Sequence, residues 1–487
     1  MSVRIHVAVS CLALSQAFAN PAFSLTPDDV WSDWQSAFSD SGLGIEADVL
    51  RSAGTLSLTN IALTLPGESG EAPAQVTLGE ITLAPAADDS VLISLPNSAP
   101  FRISSPTSDL AGSYGQQGFR MIASGVPGQT RYTYDARAFN VSLESITNRS
   151  ATASPEQLTP PITLRATEPK GQADLSLGDT IRILQTSDIA GLAFDLQMSE
   201  PTVGDVAFSF AVNDISSSSQ SQIDTALVRQ DGLQSARQVT TEQSFASASL
   251  AFSFKDETDS VNLQSHSQEG RGTARIDADA FSYDASARNV TLALADADLG
   301  FPLETSVDQV TFQATGPTMA QDETAPFSLA LSLQSMNVPD AIWAMFDAAN
   351  KLPHDPMSLD LALSGAGRFN AQSEEPELDR LAIDRFALTG IGAEITAQGA
   401  FDTDLSQRSR LGNYPKFSGQ IDLTAKGVMG VLETLSDSGI LPPQFVYGAA
   451  LYAGMLARQV SGPDDLATTV IITPEEKVMI NGQVISE

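Results

Sequence analysis

The chain has 487 residues, 42% of them apolar and 17% charged, with 26 Lys and Arg against 59 Asp and Glu for a net charge of −33. The apolar share is ample for a sizeable core and too high for wholesale disorder, and the length suits two or three domains or one long repetitive one. The acidic balance weighs against nucleic acid and against electrostatic docking on anionic lipid head groups, because both depend on Lys and Arg.

Residues 1–19 read as a secretory signal peptide. Arg4 and His6 supply the polar start, Val7 to Leu14 an apolar run, and Ala17-Phe18-Ala19 a small-residue cleavage site, so cleavage is expected after Ala19. The run is far shorter than the roughly 20 residues that span a bilayer, and no transmembrane anchor is expected in the mature chain. Cys11, the single cysteine, lies inside this segment. An exported chain without disulfides is held by its core and its sheet ladders, which fits a bacterial periplasm.

Thr26 to Phe38 predicts a helix with Thr26 as N-cap, Pro27 in the first turn, a stripe of Val30, Trp34, Ala37 and Phe38, and Gly42 as its stop. This helix should lie across a sheet. From Leu56 the pattern turns to short alternating strands, through Leu95, Phe101–Ile103, Phe119–Ile122 and Ile162–Leu196 to Phe252–Phe254. Ser216 to Ser219 reads as a polar hairpin end or a bulge. Pro339 to Phe346 and Val428 to Leu435 predict two further short helices, each preceded by strand sequence and followed by a Leu-Pro pair. Pro443 to Arg458 is apolar with a small-residue face and predicts a helix buried against the sheet. Val478 to Ile480 with Asn481-Gly482 predicts a closing hairpin.

One stretch occurs twice. Tyr132-Thr-Tyr-Asp-Ala-Arg-Ala-Phe-Asn-Val-Ser-Leu143 returns as Phe281-Ser-Tyr-Asp-Ala-Ser-Ala-Arg-Asn-Val-Thr-Leu292, with seven of twelve columns identical. In both copies the apolar positions change parity between the Tyr and the Val-x-Leu. Side chains alternate faces along a strand, so this change requires a bulge or turn, expected at Asp-Ala-x-Ala-x-Asn. The pattern as a whole predicts a mainly β fold: a long curved antiparallel sheet of repeated β units with a few short amphipathic helices packed on it. The divisions it suggests are 1–19 signal peptide, 20–200 first β unit with the N-terminal helix, 201–330 second, duplicated unit, and 331–487 C-terminal strand-helix-strand units.

No catalytic constellation emerges. His266 sits in a polar Ser-His-Ser stretch, read as a loop, and His354 in Leu-Pro-His-Asp-Pro, neither with a second His or Cys at ligand spacing. Asp277/Asp279 and Asp296/Asp298 are the best paired carboxylates, and without full calcium-loop spacing they read as solvated edges. Asn140-Val-Ser and Asn289-Val-Thr are sequons on paper, with a turn Asn as the simpler account. No catalytic, cofactor-binding or metal-ligating residue is therefore assigned, no cofactor is expected, and the chain is read as a non-enzyme.

Leu25-Thr-Pro-Asp-Asp-Val-Trp31, Phe417-Ser-Gly-Gln-Ile-Asp-Leu423, the helix to Leu435 and the closing Ile480-Asn-Gly482 resemble the uncharacterised Gram-negative envelope family called domain of unknown function 2125, over nearly the whole mature length. More distantly, the strand-helix-strand ending resembles AsmA-like envelope proteins. That resemblance implies a long curved antiparallel sheet and a link to outer-membrane lipid homeostasis, and it carries over no catalytic residue. The expectation is an exported periplasmic protein that binds or shields a lipid-like apolar ligand or supports envelope assembly, with lipid or an envelope protein as partner. The alternatives are a secreted hydrolase with a site between repeats and a protein-binding β scaffold. The apolar faces form either an open groove or a closed dry core.

Overall fold

A computed structural model describes residues 25–486 apart from 67–72, 149–155, 159–161, 201–203, 298, 300, 319–323, 348–349, 371–374 and 410–414. The expected signal peptide and its cleavage site lie outside the described residues.

Helix α1 (Pro27–Asp40) forms where the sequence predicts it. Thr26 Oγ1 accepts the Asp29 N–H at 3.2 Å while the Asp29 carboxylate accepts the Thr26 N–H at 2.9 Å, which satisfies two N–H groups at the helix start. Gly42, at φ 72°, takes the left-handed turn that follows the helix. Val30 and Trp31 are buried.

The described strands then join one antiparallel sheet. β1 (Gly44–Ser52) and β2 (Thr55–Leu65) make the first hairpin. Next come long strands, each broken near its middle: β3 (Ala74–Leu78) with β4 (Ile81–Pro85), β5 (Val91–Ser94) with β6 (Ser98–Ser104), β7 (Ser108–Gln117) with β8 (Arg120–Val126), and β9 (Gln129–Asp135) with β10 (Ala138–Asn148). After the short β11 (Glu156–Leu158), β12 (Ile162–Thr167) and β13 (Lys170–Ser176) form the last broken strand. On one side of the breaks the ladder runs β2–β3–β6–β7–β10–β12. On the other it runs β2–β4–β5–β8–β9–β13. Both series end on β14 (Thr180–Glu200), so the pairings close a ring around the line of breaks.

From β14 onward the strands run whole. β15 (Gly204–Asp224), β16 (Arg237–Lys255), β17 (Ser260–Ile276), β18 (Ala280–Asp296), β19 (Leu303–Pro317) and β20 (Ala325–Met336) pair in succession. β21 (Met357–Asn370), β22 (Glu375–Gly390), β23 (Ala393–Arg408) and β24 (Pro415–Lys426) continue the meander. β25 (Arg458–Gln459), β26 (Asp465–Ile472), β27 (Val478–Ile480) and β28 (Gln483–Ser486) end it. Asn481 and Gly482, at φ 50° and 83°, form the tight turn the sequence predicts. The ladder passes from β14 to β15 and along β20, through both positions where the sequence suggests dividing the mature chain.

Two helices follow β15, α2 (Thr225–Asp231) and α3 (Leu233–Ala236). α4 (Asp340–Phe346) follows β20, and α5 (Val428–Asp437) and α6 (Pro443–Leu456) follow β24. α1, α4 and α5 pack on the sheet through Val30 and Trp31, Trp343, and Val431.

The line of breaks extends across the whole strands as a row of left-handed residues. Asn60 in β2, Glu168 between β12 and β13, Asp214 in β15, Glu269 in β17, Asn289 in β18 and Ser335 in β20 have φ of 51°, 49°, 53°, 49°, 48° and 55°. Apolar positions change parity as each strand crosses this seam. They shift from Leu56 and Leu58 to Ile61 and Leu63 in β2, and from Phe208 and Val212 to Ile215 and Ile223 in β15. In β18 they shift from Phe281 and Tyr283 to Val290 and Leu292. A left-handed residue or a break resets the alternation, so the apolar side chains stay on one side of the sheet. Leu56, Leu58 and Ile61 accordingly share one core cluster.

Both copies of the duplicated motif cross the seam in strands, Tyr134 in β9 and Tyr283 in β18. Both irregularities fall within the expected Asp-Ala-x-Ala-x-Asn segment, but the two copies use different devices. The first copy breaks at Ala136–Arg137, where Ala136 N–H donates to Pro169 O at 2.9 Å, and Asn140 lies inside β10. The second copy stays one strand and kinks at Asn289. Ser216 to Ser219 likewise lie mid-strand in β15, not at a hairpin end, paired to β14 and β16.

Candidate functional site

The inner face of the sheet, on which α1 lies, is closed at one end and open over the rest. At the closed end Leu56, Leu58, Leu83, Val91, Ala123, Leu175, Ile181 and Ile223 pack with Val30 and Trp31 into a core. Asp33 of α1 is buried and accepts the Gly128 N–H at 2.9 Å and the Thr130 hydroxyl at 2.9 Å. Trp34 Nε1–H donates to Tyr132 Oη at 3.0 Å. Burial pushes the Tyr132 hydroxyl up to about 12, against the opposing hydrogen bond from Trp34. Val228, Leu233 and Ala236 of α2 and α3 complete this end.

Past the closed end the same face loses its cover. Phe194, Phe208, Leu250, Phe252, Phe254, Leu263 and Leu294 are half-buried. Phe210, Leu292 and Tyr283 are 36%, 40% and 43% exposed, against 0% for Leu58 and Val91 under α1. The register places these residues side by side: Phe194 faces Phe210, which faces Leu250, while Phe208 faces Phe252, which faces Leu263 and then Leu294. The stripe is therefore continuous across five strands. Next to the seam a depression of about 300 Å³ is lined by Phe245, Ala274, Tyr283, Ala287, Val310 and Phe312.

Between the core and this apolar stripe the inner positions are hydroxylic. Ser187 and Ser217 share a hydrogen bond of 2.7 Å, and Ser219 and Thr241 one of 3.3 Å. The sheet thus offers an apolar surface bordered by a short hydroxyl belt, the surface complement of an amphipathic chain.

The chemistry-bearing residues of the sequence do not converge. His354 stacks on Trp343, ring centroids 3.8 Å apart and 16° from parallel, and its Nε2 meets Asp347 Oδ2 at 3.1 Å. Asp347 also accepts the N–H groups of Lys351 and Leu352 at 2.9 and 2.8 Å. Desolvation opposes ionisation of this carboxyl, but the two backbone donors and His354 outweigh it and hold it below the usual carboxylate range. The group staples the loop after α4 over the small core of Trp343, Leu352 and Val431. His266 lies in strand β17, not in a loop. It lines a depression of about 600 Å³ with Gln264, Thr291, Glu304 and Asn337. Asp277 accepts the N–H groups of Asp279 and Ala280 at 3.0 and 2.8 Å, which makes it the cap of the β17–β18 turn. Asp298 lies outside the described residues, so the second carboxylate pair has no structural reading. Among the described residues no three His, Cys, Asp or Glu side chains gather as a metal site would require.

Helix α6 departs from expectation. The sequence predicts a helix buried against the sheet, but none of its residues is buried, and Phe445, Tyr447, Leu451, Tyr452 and Met455 are 63–76% exposed. Hydropathy alone reads such a segment as core; its tether between α5 and β25 instead holds it clear of the sheet.

Fold and face together define a mainly β protein whose long antiparallel sheet carries a partly uncovered apolar side. Residues 244–473, from β16 through β26, match the family described as "Uncharacterized protein conserved in bacteria (DUF2125)". The N-terminal motif Leu25 to Trp31 lies outside the matched residues. No curated protein and no solved structure matches the chain.

Proposed function

We propose that this protein is a non-enzymatic scaffold that shields a lipid-like acyl chain on the inner face of its sheet. One observation carries the reading: past the end of the core, the stripe through Phe194, Phe210 and Leu250 continues with its side chains half exposed. Exposed apolar surface of this extent is costly in water, at about 25 cal/mol per Å², and marks an interaction site in a folded protein. The Ser187–Ser217 and Ser219–Thr241 belt would receive the polar end of an amphipathic ligand. The AsmA-like resemblance and the leader-like residues 1–19 support placing this activity in the bacterial envelope, at the periplasmic side.

The test is mass spectrometry of lipids that co-purify with the full chain, joined to titration with a fluorescent fatty acid. Bound lipid is expected, with the fatty acid competing for it. Phe210→Glu and Leu292→Glu should each weaken fatty-acid binding by roughly tenfold or more, since each sets a charge in the path of the chain. Repeated absence of co-purifying lipid, together with no fatty-acid uptake, would overturn the proposal.

A further inference from the structure

Helix α6 has 14 residues and not one charge, in a chain of net charge −33. At about 100° per residue, Tyr447, Leu451, Met455, Tyr452 and Phe445 sweep an exposed arc of about 160°. Their exposures are 76%, 63%, 65%, 66% and 64%. The opposite arc, Val446, Ala449, Ala453 and Leu456, is half-covered. Gly448 and Gly454 have nothing within 4 Å of where a Cβ would stand. The surface that would be polar on an ordinary helix of a folded domain is here the apolar one.

The helix is held in this position from both ends. Upstream, the N–H groups of Met429 and Gly430 at the start of α5 donate to Asp464 at 2.9 and 2.8 Å. Downstream, the Leu456 carbonyl accepts from Thr468 Oγ1 at 2.9 Å and from Asn481 Nδ2 at 2.8 Å. The apolar tip extends past the helix on both sides, through Ile440 and Val460, 39% and 57% exposed.

We propose that α6 is a membrane-docking element that lies in the head-group boundary of one leaflet of an electrically neutral bilayer. Three features select this occupant. At about 1.5 Å per residue the helix is about 21 Å long, short of the ~30 Å hydrocarbon core, and both its ends return to the same sheet, so it dips without crossing. Tyr447 and Tyr452 place a hydroxyl on an apolar ring, the combination that settles at the head-group level. The uncharged helix offers no cation to anionic lipid, and the acidic body around it is repelled by such a surface, which leaves zwitterionic lipid. A groove on a protein partner would cover a narrower stripe of anchors than this arc presents. The inference rests on α6 and not on the inner face of the sheet.

The experiment is flotation of the full chain with phosphatidylcholine vesicles. The chain is expected to float, and the double variant Tyr447→Glu/Leu451→Glu to lose roughly tenfold or more in partitioning, with an unchanged thermal midpoint. Phe210→Glu should float like the unaltered chain, which separates this proposal from the groove reading. Tyr452→Trp should add a blue-shifted emission that brominated acyl chains quench. Replacing part of the neutral lipid by phosphatidylglycerol should weaken flotation. Failure of the unaltered chain to float, flotation indifferent to the double variant, or a requirement for phosphatidylglycerol would each overturn the proposal. So would a dimer in sedimentation velocity that the double variant abolishes without any flotation, since that assigns α6 to a second copy.

Discussion

Phe245 of β16 lies over Gly270, its directly paired residue in β17, so that a Cβ on the glycine would run into the ring. The same pairing recurs along the sheet. Phe101 covers Gly112, Tyr134 covers Gly171, Phe281 covers Gly316, Phe327 covers Gly365 and Phe401 covers Gly419, each across one rung of the ladder. A Cβ would stand 2.6 Å from Phe101 Cζ at Gly112 and 2.5 Å from Phe327 Cζ at Gly365. A ring laid over a partner glycine covers bare backbone and pins the register, and it leaves the apolar face smooth.

Gly270→Ala should therefore destabilise the protein by roughly 1–3 kcal/mol, because the ring must leave its place. Phe245→Ala costs stability on its own, but in its background Gly270→Ala should cost much less. A urea-unfolding cycle over the four proteins measures this coupling, and additive effects would sink the explanation. Gly448→Ala on exposed α6 should instead stabilise by about 0.5–1 kcal/mol, the ordinary helix preference.

The seam makes a second prediction. Glu269 and Asn289 sit at φ 49° and 48°, a conformation that costs an L residue roughly 1–2 kcal/mol and glycine nothing. Glu269→Gly should hold or raise stability by about 1 kcal/mol, even though it removes the exposed Arg288–Glu269 ion pair at 3.2 Å, because such pairs are worth little. Asn289→Val should lower stability by roughly 1–3 kcal/mol, since a β-branched residue resists the left-handed region and loses the bond to Gln268 Oε1. Urea midpoints of the two variants, moving in opposite directions, are the expected result.

Much of this architecture is written in local pattern. The change of parity in the two motif copies marks the seam, and the same change is legible in Leu56-Leu58 to Ile61-Leu63 of β2. α1 is legible through its capping residues and its stripe. What escapes local pattern depends on register or on tethering. Phe245 and Gly270 meet only because β16 and β17 pair at that rung, and nothing in either segment names the partner. His266 reads as a loop residue because Ser-His-Ser is polar, yet an outer-face position on a strand accepts the same residues. α6 reads as core because hydropathy measures what water disfavours and not where the chain holds it. The family match covers residues 244–473, and the ring of broken strands lies before them.

Acid should loosen the loop after α4. The Asp347 carboxyl is held below the usual range, so the folded state binds its proton less readily than the unfolded chain does. The stability it contributes is present above the ordinary carboxylate value and is lost as pH falls through the depressed one. Hydrogen exchange at the Lys351 and Leu352 amides, both donors to Asp347, should stay slow until that lower pH is reached and then quicken. Asp347→Asn should flatten this pH response; an unchanged acid profile in the variant would remove Asp347 as its source.

At the other extreme, Tyr132 should govern alkaline stability at the closed end of the sheet. Its hydroxyl is raised from 10.0 to about 12, chiefly by burial, so the folded state keeps the proton that the unfolded chain gives up. The contribution is whole below pH 10 and declines from there to about 12; at roughly 1.4 kcal/mol per pH step it amounts to about 2–3 kcal/mol. Tyr132→Phe keeps the ring under α1 and removes the ionisable group, at the cost of about 1 kcal/mol for the Trp34 Nε1–H left without its acceptor. The variant should be the weaker protein at neutral pH and lose stability less steeply above pH 10. If thermal midpoints of the two proteins fall in parallel through the alkaline range, the packing of α1 over Tyr132 is looser than the buried core of Leu58, Val91 and Trp31 requires.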